Sequence, residues 1–179
     1  MTASVGVDTN VLAYLAQAAS GIYDPAADPD AVLMPERVAA YRIFLHSACV
    51  AVTATVNEEI ERTANPKERA ELVGWKDLLP VEVLNAPADA IAQRARWFQR
   101  YHHELQDCQI VAEAEIGGLE VLLTFDRTLR RRLDGRSPTL RLRSPSEHWR
   151  ELQIPRGQPP RWSPTPTNPI ADATWWRWE

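Results

Sequence analysis

A short apolar strand that runs directly into a helix, close to the amino terminus, is the feature that most constrains the fold. Val5 and Val7 favour a strand, and after Asp8 the apolar residues recur with the period of a helix. Asp8, Thr9 or Asn10 can cap that helix. A carboxylate at such a junction lies at the carboxyl end of its strand, which is the edge where open α/β sheets bind ligands.

Strands and helices alternate along most of the chain. Residues 49–56 are nearly all apolar and rich in β-branched side chains, as in a strand buried on both faces, and residues 120–125 form a similar run. Residues 17–35, with two Asp-Pro pairs, are predicted to form a surface loop. The alternation predicts an α/β domain whose sheet is mostly parallel and covered by helices on both faces.

The composition changes near the carboxyl terminus. The last 25 residues hold six of the 14 prolines and four of the seven tryptophans, so regular structure is not expected there. We predict a folded domain over residues 1–152 and an irregular extension over residues 153–179. Because tryptophan is unfavourable in water, we expect the extension to dock on its own domain or on another chain. Disorder is the alternative, although disordered segments are poor in aromatic residues.

The composition also argues against membrane and zinc-binding classes. No apolar run approaches the length of a membrane span, and no secretory signal is recognisable, so we expect a cytoplasmic protein. Cys49 and Cys108 lie in apolar stretches and are expected to be buried free thiols. The neighbours His102 and His103 would point apart on a helix, so we expect a surface or helix-end role for them rather than metal binding.

Charge is distributed unevenly along the chain. Residues 1–126 carry 9 basic and 19 acidic side chains, whereas residues 127–161 carry 10 arginines and three acids. Arginine is the residue best suited to bidentate phosphate contact, so the basic segment indicates a nucleic-acid surface. A solvated charged face explains the same pattern equally well.

Four acids are expected at the carboxyl edge of the sheet. Asp8 ends the first strand, Glu58 or Glu59 follows the second, and Asp126 ends the run at 120–125. Asp107 heads the apolar face of a helix, where a charged group is unfavourable unless something compensates it.

Several carboxylates without a local basic partner favour a cation with hard oxygen ligands, which means Mg²⁺ or Mn²⁺. Such an ion activates water and neutralises charge on a phosphoryl group. Acids for a metal beside arginines for phosphate indicate phosphodiester hydrolysis. The alternative for each acid taken singly is a helix cap or a solvated first-turn residue.

Four stretches, in this order, resemble the PIN-domain nucleases, and among them the VapC-like toxins of bacterial toxin–antitoxin pairs: residues 7–12, 53–60, 107–112 and 122–126. Residues 142–149 are similar to the last strand and helix of that family, so the resemblance extends over about residues 4–152.

The resemblance implies a three-layer fold with about five strands, an acidic pocket for Mg²⁺ or Mn²⁺, and endonucleolytic cleavage of RNA. It also implies a dimer and an antitoxin partner. The residues that it makes catalytic and metal-ligating are Asp8, Glu59, Asp107 and Asp126. Asn10 and Thr124 match positions that orient the ligands. From the basic segment, we assign RNA binding to Arg127, Arg130 and Arg131.

The choice of Glu59 over Glu58 rests on the aliphatic residue Ile60, because the family places its acid directly before such a residue. A one-residue offset on a helix turns the carboxylate by about 100°, so Glu58 remains the alternative.

Two other functions fit the same sequence. A PIN-like fold with weak or no turnover would serve as an RNA-binding or assembly module. An unrelated α/β phosphatase or phosphotransferase could use Asp8 as its nucleophile. Such enzymes commonly need an acid two residues later, and Asn10 occupies that position.

Overall fold

The computed structural model of the 179-residue chain describes residues 5–19, 34–47, 50–78, 81–163, 171 and 174–179. Five short strands form one sheet: β1 Val5–Val7, β2 Val50–Val52, β3 Val81–Val83, β4 Val121–Leu123 and β5 Arg141–Arg143. The helices are α1 Thr9–Ala19, α2 Met34–His46, α3 Ala54–Glu61, α4 Pro66–Leu78, α5 Ala88–Phe98, α6 Leu105–Ile116, α7 Arg127–Leu133 and α8 Pro145–Glu151.

The sheet is parallel, with the strand order β3-β2-β1-β4-β5. Every residue of β1, β2 and β4 is buried. Since successive strand residues point to opposite faces, helices cover both faces. Gly6 in β1 lies against the Leu119 side chain, which would have to move if position 6 carried a Cβ. The predicted α/β class, with a mostly parallel sheet of about five strands, is confirmed.

The second strand is shorter than predicted. The run 49–56 was expected to be one strand, but β2 ends at Val52 and α3 begins at Ala54. Thr53 causes the change, because its side chain accepts a hydrogen bond from the backbone N–H of Val56 at 3.2 Å and caps the helix. The apolar residues that follow therefore pack from a helix rather than from a strand.

Some predictions fall partly outside the described residues. The predicted loop at 17–35 overlaps the end of α1, and residues 20–33 are not described. Cys108 is a buried free thiol as expected, whereas Cys49 is not among the described residues. None of the helices in the described ranges is long and apolar enough to cross a membrane.

The described parts of the C-terminal extension dock on the chain's own domain, at the end of α2. The Arg42 guanidinium donates to the carbonyl oxygens of Trp176 and Arg177 at 2.9 and 2.7 Å. The Trp162 indole N–H donates to the Ser47 carbonyl at 2.9 Å. Because α2 leads into the amino end of β2, these contacts lie toward the edge of the sheet opposite the acids. The boundary between domain and extension stays a prediction.

Candidate active site

Asp8 lies at the junction of β1 and α1, and neutral groups hold its carboxylate. Its backbone N–H donates to the Leu123 carbonyl at 2.9 Å, which continues the pairing of β1 with β4. One carboxylate oxygen accepts from the Thr9 N–H at 2.7 Å. The other accepts from the Thr124 hydroxyl at 2.7 Å and from the Asn10 side-chain amide at 2.8 Å. Asn10 and Thr124 thus contact the acid that they were predicted to orient.

The Asp8 carboxylate is almost completely buried, with a relative exposure of 6%. Burial raises its pKa from 3.8 to about 6, although the hydrogen bond from Thr124 opposes the shift. The negative charges of Asp107 and Glu59 raise the pKa further. Three acids from three separate elements therefore act on one another electrostatically at this edge.

Glu59 faces the other acids, and Glu58 faces solvent. The Thr9 hydroxyl donates to a Glu59 carboxylate oxygen, which links α3 to the start of α1. Burial raises the pKa of Glu59, and the charge of Asp107 adds to the shift. Glu58 is exposed and forms an ion pair with Arg62 one turn later, at 3.0 Å. Of the two candidates, only Glu59 is placed beside the acidic group.

Asp107 lies in the first turn of α6 and contacts a histidine. Its Oδ2 is 2.7 Å from Nε2 of His102, which is only 3% exposed. The pair His102-His103 was expected at a surface or helix end. His103 is exposed as expected, whereas His102, in the turn between α5 and α6, is buried against Asp107. The backbone N–H of His102 donates to the Phe98 carbonyl at 3.1 Å. The hydrogen bond belongs to the turn that places the His102 ring inside the protein.

Asp126 follows β4 and caps α7. One of its carboxylate oxygens accepts from the backbone N–H groups of Thr128 and Leu129 at 2.6 and 3.0 Å. Its own N–H donates to the Thr124 hydroxyl at 3.1 Å. Because the same hydroxyl donates to Asp8, Thr124 connects the two acids that end β1 and β4. The helix-cap interpretation of Asp126 is therefore realised, and its backbone N–H rather than its carboxylate contacts Thr124.

Sequence reasoning missed two buried groups behind the acids. One is His102, described above. The other is Glu113, which is buried on α6 and accepts from the Thr55 N–H and hydroxyl at 2.9 and 2.8 Å. These bonds fix the start of α3, the helix that carries Glu59. The signal in the sequence was an acid inside an otherwise apolar helical run, residues 110–114.

The donor chemistry of this edge fits a hard divalent cation. All four acids offer carboxylate oxygen, and no lysine or arginine in the described ranges pairs with Asp8, Glu59 or Asp126. However, no three acidic, histidine or cysteine side chains of the described residues converge as a metal-binding group. Asp8, Asp107 and Asp126 each direct an oxygen at a neutral donor or at His102.

The predicted RNA-binding arginines lie on α7, directly after Asp126. Arg127 and Arg131 are exposed. Arg130 is different, because its side chain is 17% exposed and its guanidinium lies 2.7 Å from the carboxylate of Glu147 on α8. The charge of Arg130 is thus already paired within the protein.

The sequence model of the PIN domain matches residues 5–133. No protein with a curated functional description matches the chain.

Several solved structures are similar. VapC20 from Mycobacterium tuberculosis, described as a sarcin-ricin loop cleaving toxin, is 18% identical over 70% of this chain and 92% of its own, with a TM-score of 0.49. VapBC2 from Rickettsia felis, bound to a DNA fragment from its promoter, is 14% identical over 78% and 97%, with a TM-score of 0.47. FitAcB from Neisseria gonorrhoeae is 20% identical over 79% and 97%, with a TM-score of 0.46. Similarities this distant do not identify an activity.

Proposed function

The chain belongs to the PIN domain family, a family of nucleases, and on that premise we propose that it is a metal-dependent endoribonuclease. The observation that carries the proposal is the buried Asp8 carboxylate. It faces the charges of Glu59 and Asp107, and its pKa is raised to about 6. A buried acid with a raised pKa, near other acids at the carboxyl edge of a parallel sheet, is typical of functional sites rather than of structural ones.

The ion that fits this edge is Mg²⁺ or Mn²⁺, held by the carboxylates of Asp8, Glu59, Asp107 and Asp126. Bound there, it would supply a water of lowered pKa and would neutralise charge on the phosphoryl group. Repulsion by the charge of Asp107 and burial both raise the pKa of Asp8 and Glu59. These shifts support the assignment, because a divalent cation would offset both effects.

The chain's own residues would orient the reacting groups. Thr124 and Asn10 hold the Asp8 carboxylate in place, and His102 does the same for Asp107. Arginines of α7 would bind the RNA backbone beside the acids. In the hydrolysis we propose, the water oxygen attaches to phosphorus in line with the bond to the 3′ oxygen. That bond breaks, and the products are a 5′-phosphate and a 3′-hydroxyl.

We further propose that the protein is a cytoplasmic toxin, acts as a dimer and is held inactive by an antitoxin protein. The four ordered stretches that resemble VapC-like toxins support this proposal. Co-expression with the product of a small reading frame directly upstream, followed by copurification and loss of nuclease activity, would test it. Copurification without inhibition would argue against the antitoxin role of that product.

A second candidate is a catalytically weak RNA-binding or assembly module. The specific observation in its favour is that one oxygen of Asp126 already caps α7, and that the described acids do not converge on one point. Metal binding without cleavage of any RNA would favour this function over the endoribonuclease.

The first experiment is cleavage of total RNA by the purified protein with Mg²⁺, Mn²⁺ or EDTA, beside the variants Asp107→Asn and Glu58→Gln. We expect metal-dependent cleavage by the parent and by Glu58→Gln, because Glu58 faces solvent, and none by Asp107→Asn. Equal cleavage by the parent and Asp107→Asn would exclude the proposed site. If neither cuts RNA in any metal, the binding-module function is the better one.

A further inference from the structure

A cleft of about 620 Å³ lies between α7 and α8, beside the edge strand β5. Its lining contains five arginines and three acids, and of the described residues that line it Leu142 alone is apolar. A groove that binds protein segments is usually built around apolar or aromatic anchors, which this cleft lacks. Its chemistry is that of a site for a charged ligand.

The three acids of the cleft are already paired within the protein. Glu147 binds Arg130 at 2.7 Å and accepts from the Ser144 N–H at 2.8 Å, as part of the cap of α8. Burial would raise the pKa of Glu147, but the Ser144 N–H and the Arg130 charge together lower it. Its carboxylate therefore stays ionised and matched to one arginine.

The other two acids brace the edge strand. Asp134 accepts from the Leu142 N–H at 3.0 Å and from the Arg143 guanidinium at 2.8 Å. Glu151 binds the same guanidinium at 2.8 Å and that of Arg141 at 3.2 Å. Arg143 also donates to the Leu142 carbonyl at 2.9 Å. The outward backbone groups of Leu142 are thus covered, and Arg143 serves the strand rather than a ligand.

Three arginines of the cleft are left without a carboxylate partner in the part of the chain that the structure describes. They are Arg127 and Arg131 on α7 and Arg150 on α8, and all three are exposed. Arg150 uses only its Nε, which donates to the Ser146 carbonyl at 3.1 Å. Its terminal amino groups remain available to a ligand.

One lining residue of the cleft adjoins the acidic edge, the carboxyl edge of the sheet where the four predicted site acids lie. Arg127 is the first residue of α7 and directly follows Asp126, the acid that caps that helix. From there the cleft extends along α7 and α8, away from the acids. A ligand that occupies it would therefore enter or leave the proposed active site beside Asp126.

We propose that this cleft binds the phosphodiester backbone of the RNA on one side of the bond that is cut, with Arg127, Arg131 and Arg150 as its phosphate contacts. The inference rests on the proposed function and adds a binding track to it. Guanidinium groups match phosphate oxygens in a bidentate manner. Three of them on two walls, with the local acids neutralised, favour an extended polyanion. Arg130 and Arg143 then have structural roles.

The test is binding of a fluorescently labelled single-stranded RNA of about 12 nucleotides in EDTA, which separates binding from cleavage. The variants are Arg150→Glu and Arg131→Glu, with Arg96→Glu as the matched control, since Arg96 is exposed in the last turn of α5. We expect each cleft variant to bind about tenfold more weakly at about 0.1 M salt. The slope of log Kd against log salt should fall by nearly one unit per lost contact, and Arg96→Glu should bind within about twofold of the parent.

A loss as large in Arg96→Glu as in the two cleft variants would overturn the proposal, because it would show a general effect of net charge. The proposal would also be overturned if Arg150→Glu and Arg131→Glu bound RNA with the affinity of the parent. The nuclease proposal fails separately. If no metal supports cleavage while Arg150→Glu and Arg131→Glu still lose RNA binding, the binding track stands and the endoribonuclease does not.

Discussion

Two regions of this protein concentrate charge, and they do so in opposite ways. At the acidic edge, Asp8, Glu59 and Asp107 carry the same sign, and the charge of Asp107 raises the pKa of both Asp8 and Glu59. In the corner formed by α7, β5 and α8, arginines and acids alternate, and ion pairs such as Arg143–Glu151 match one another. The first arrangement opposes folding and the second assists it, which indicates that the acidic edge is retained for function rather than for stability.

The hydrogen-bond partners differ in the same sense. The acids of the edge accept from neutral groups, chiefly the hydroxyls of Thr9 and Thr124 and the amide of Asn10. Neutral donors fix the direction of a carboxylate without cancelling its charge. A site for a cation needs carboxylates that are held in place and keep their charge. In the arginine corner, the region formed by α7, β5 and α8, the described ion pairs instead match each carboxylate with an arginine.

The largest effect is expected for Asp8→Asn. We expect RNA cleavage to fall by more than about 100-fold, because changes to residues that only orient metal ligands already cost about 10- to 100-fold. In the parent, saturating Mn²⁺ should raise the melting temperature, whereas Asp8→Asn should gain little. Single-turnover cleavage and thermal unfolding with and without metal measure the two effects. Parental activity in Asp8→Asn would remove the distinction between the two regions.

The pH dependence of stability tests the same acid without any metal. The pKa of Asp8 is about 6 in the folded protein, against 3.8 for an ordinary aspartate in the unfolded chain. Between these values the folded protein therefore binds more protons than the unfolded chain does. Stability should therefore be highest at low pH for this group and should fall as pH rises from about 4 to about 6, by at most about 3 kcal/mol.

Urea unfolding in EDTA at pH 4.5 and pH 7.5 measures that change, and Asp8→Asn is its control. The comparison uses the pH difference within each protein, since the amide has one acceptor oxygen and cannot replace both the oxygen that accepts from Thr9 and the one that accepts from Asn10 and Thr124. The decline should be smaller in Asp8→Asn than in the parent. An equal decline in both would assign the effect to other acids.

His102→Leu is expected to have an intermediate effect. Removing the imidazole frees the Asp107 carboxylate to turn, so metal-dependent cleavage should fall about tenfold at limiting metal and recover as metal is raised. His103→Leu, a change at an exposed neighbour, should leave the metal dependence unaltered. A loss that excess metal does not restore would point to a general disturbance of the turn between α5 and α6.

The two regions were not equally predictable from the sequence. Asp8 and Asp126 could be placed because each ends an apolar run, and the parallel sheet follows from strands separated by helices. Strand lengths could not, because the cap formed by Thr53 ends β2 early. The contact of His102 with Asp107 was missed, since adjacent histidines at a helix end carry no period that shows which ring turns inward.

The arginine corner was predictable only in its overall charge. Ten arginines in 35 residues indicate a basic surface, but no pattern in the sequence shows that Arg130 pairs with Glu147 across two helices. Such pairings depend on how α7 and α8 are placed where both pack against β5. The three-dimensional structure is therefore needed to distinguish the arginines that are paired from those that are available to a ligand.

Asp134→Asn should give the smallest effect. Removing the charge of Asp134 should lower the free energy of unfolding, whereas removing the charge of Asp8 at neutral pH should raise it. The amide can still accept from the Leu142 N–H, but it no longer presents a charge to Arg143, which Glu151 also binds. Because this pair is partly exposed, we expect a loss of only about 0.5–1 kcal/mol in the free energy of unfolding, and less in high salt. Urea unfolding at pH 7.5 measures it, with the exposed Glu120→Gln as control. A gain in stability from Asp134→Asn would mean that the acids of this corner are as unfavourable as those of the acidic edge, and the contrast between the two regions would not hold.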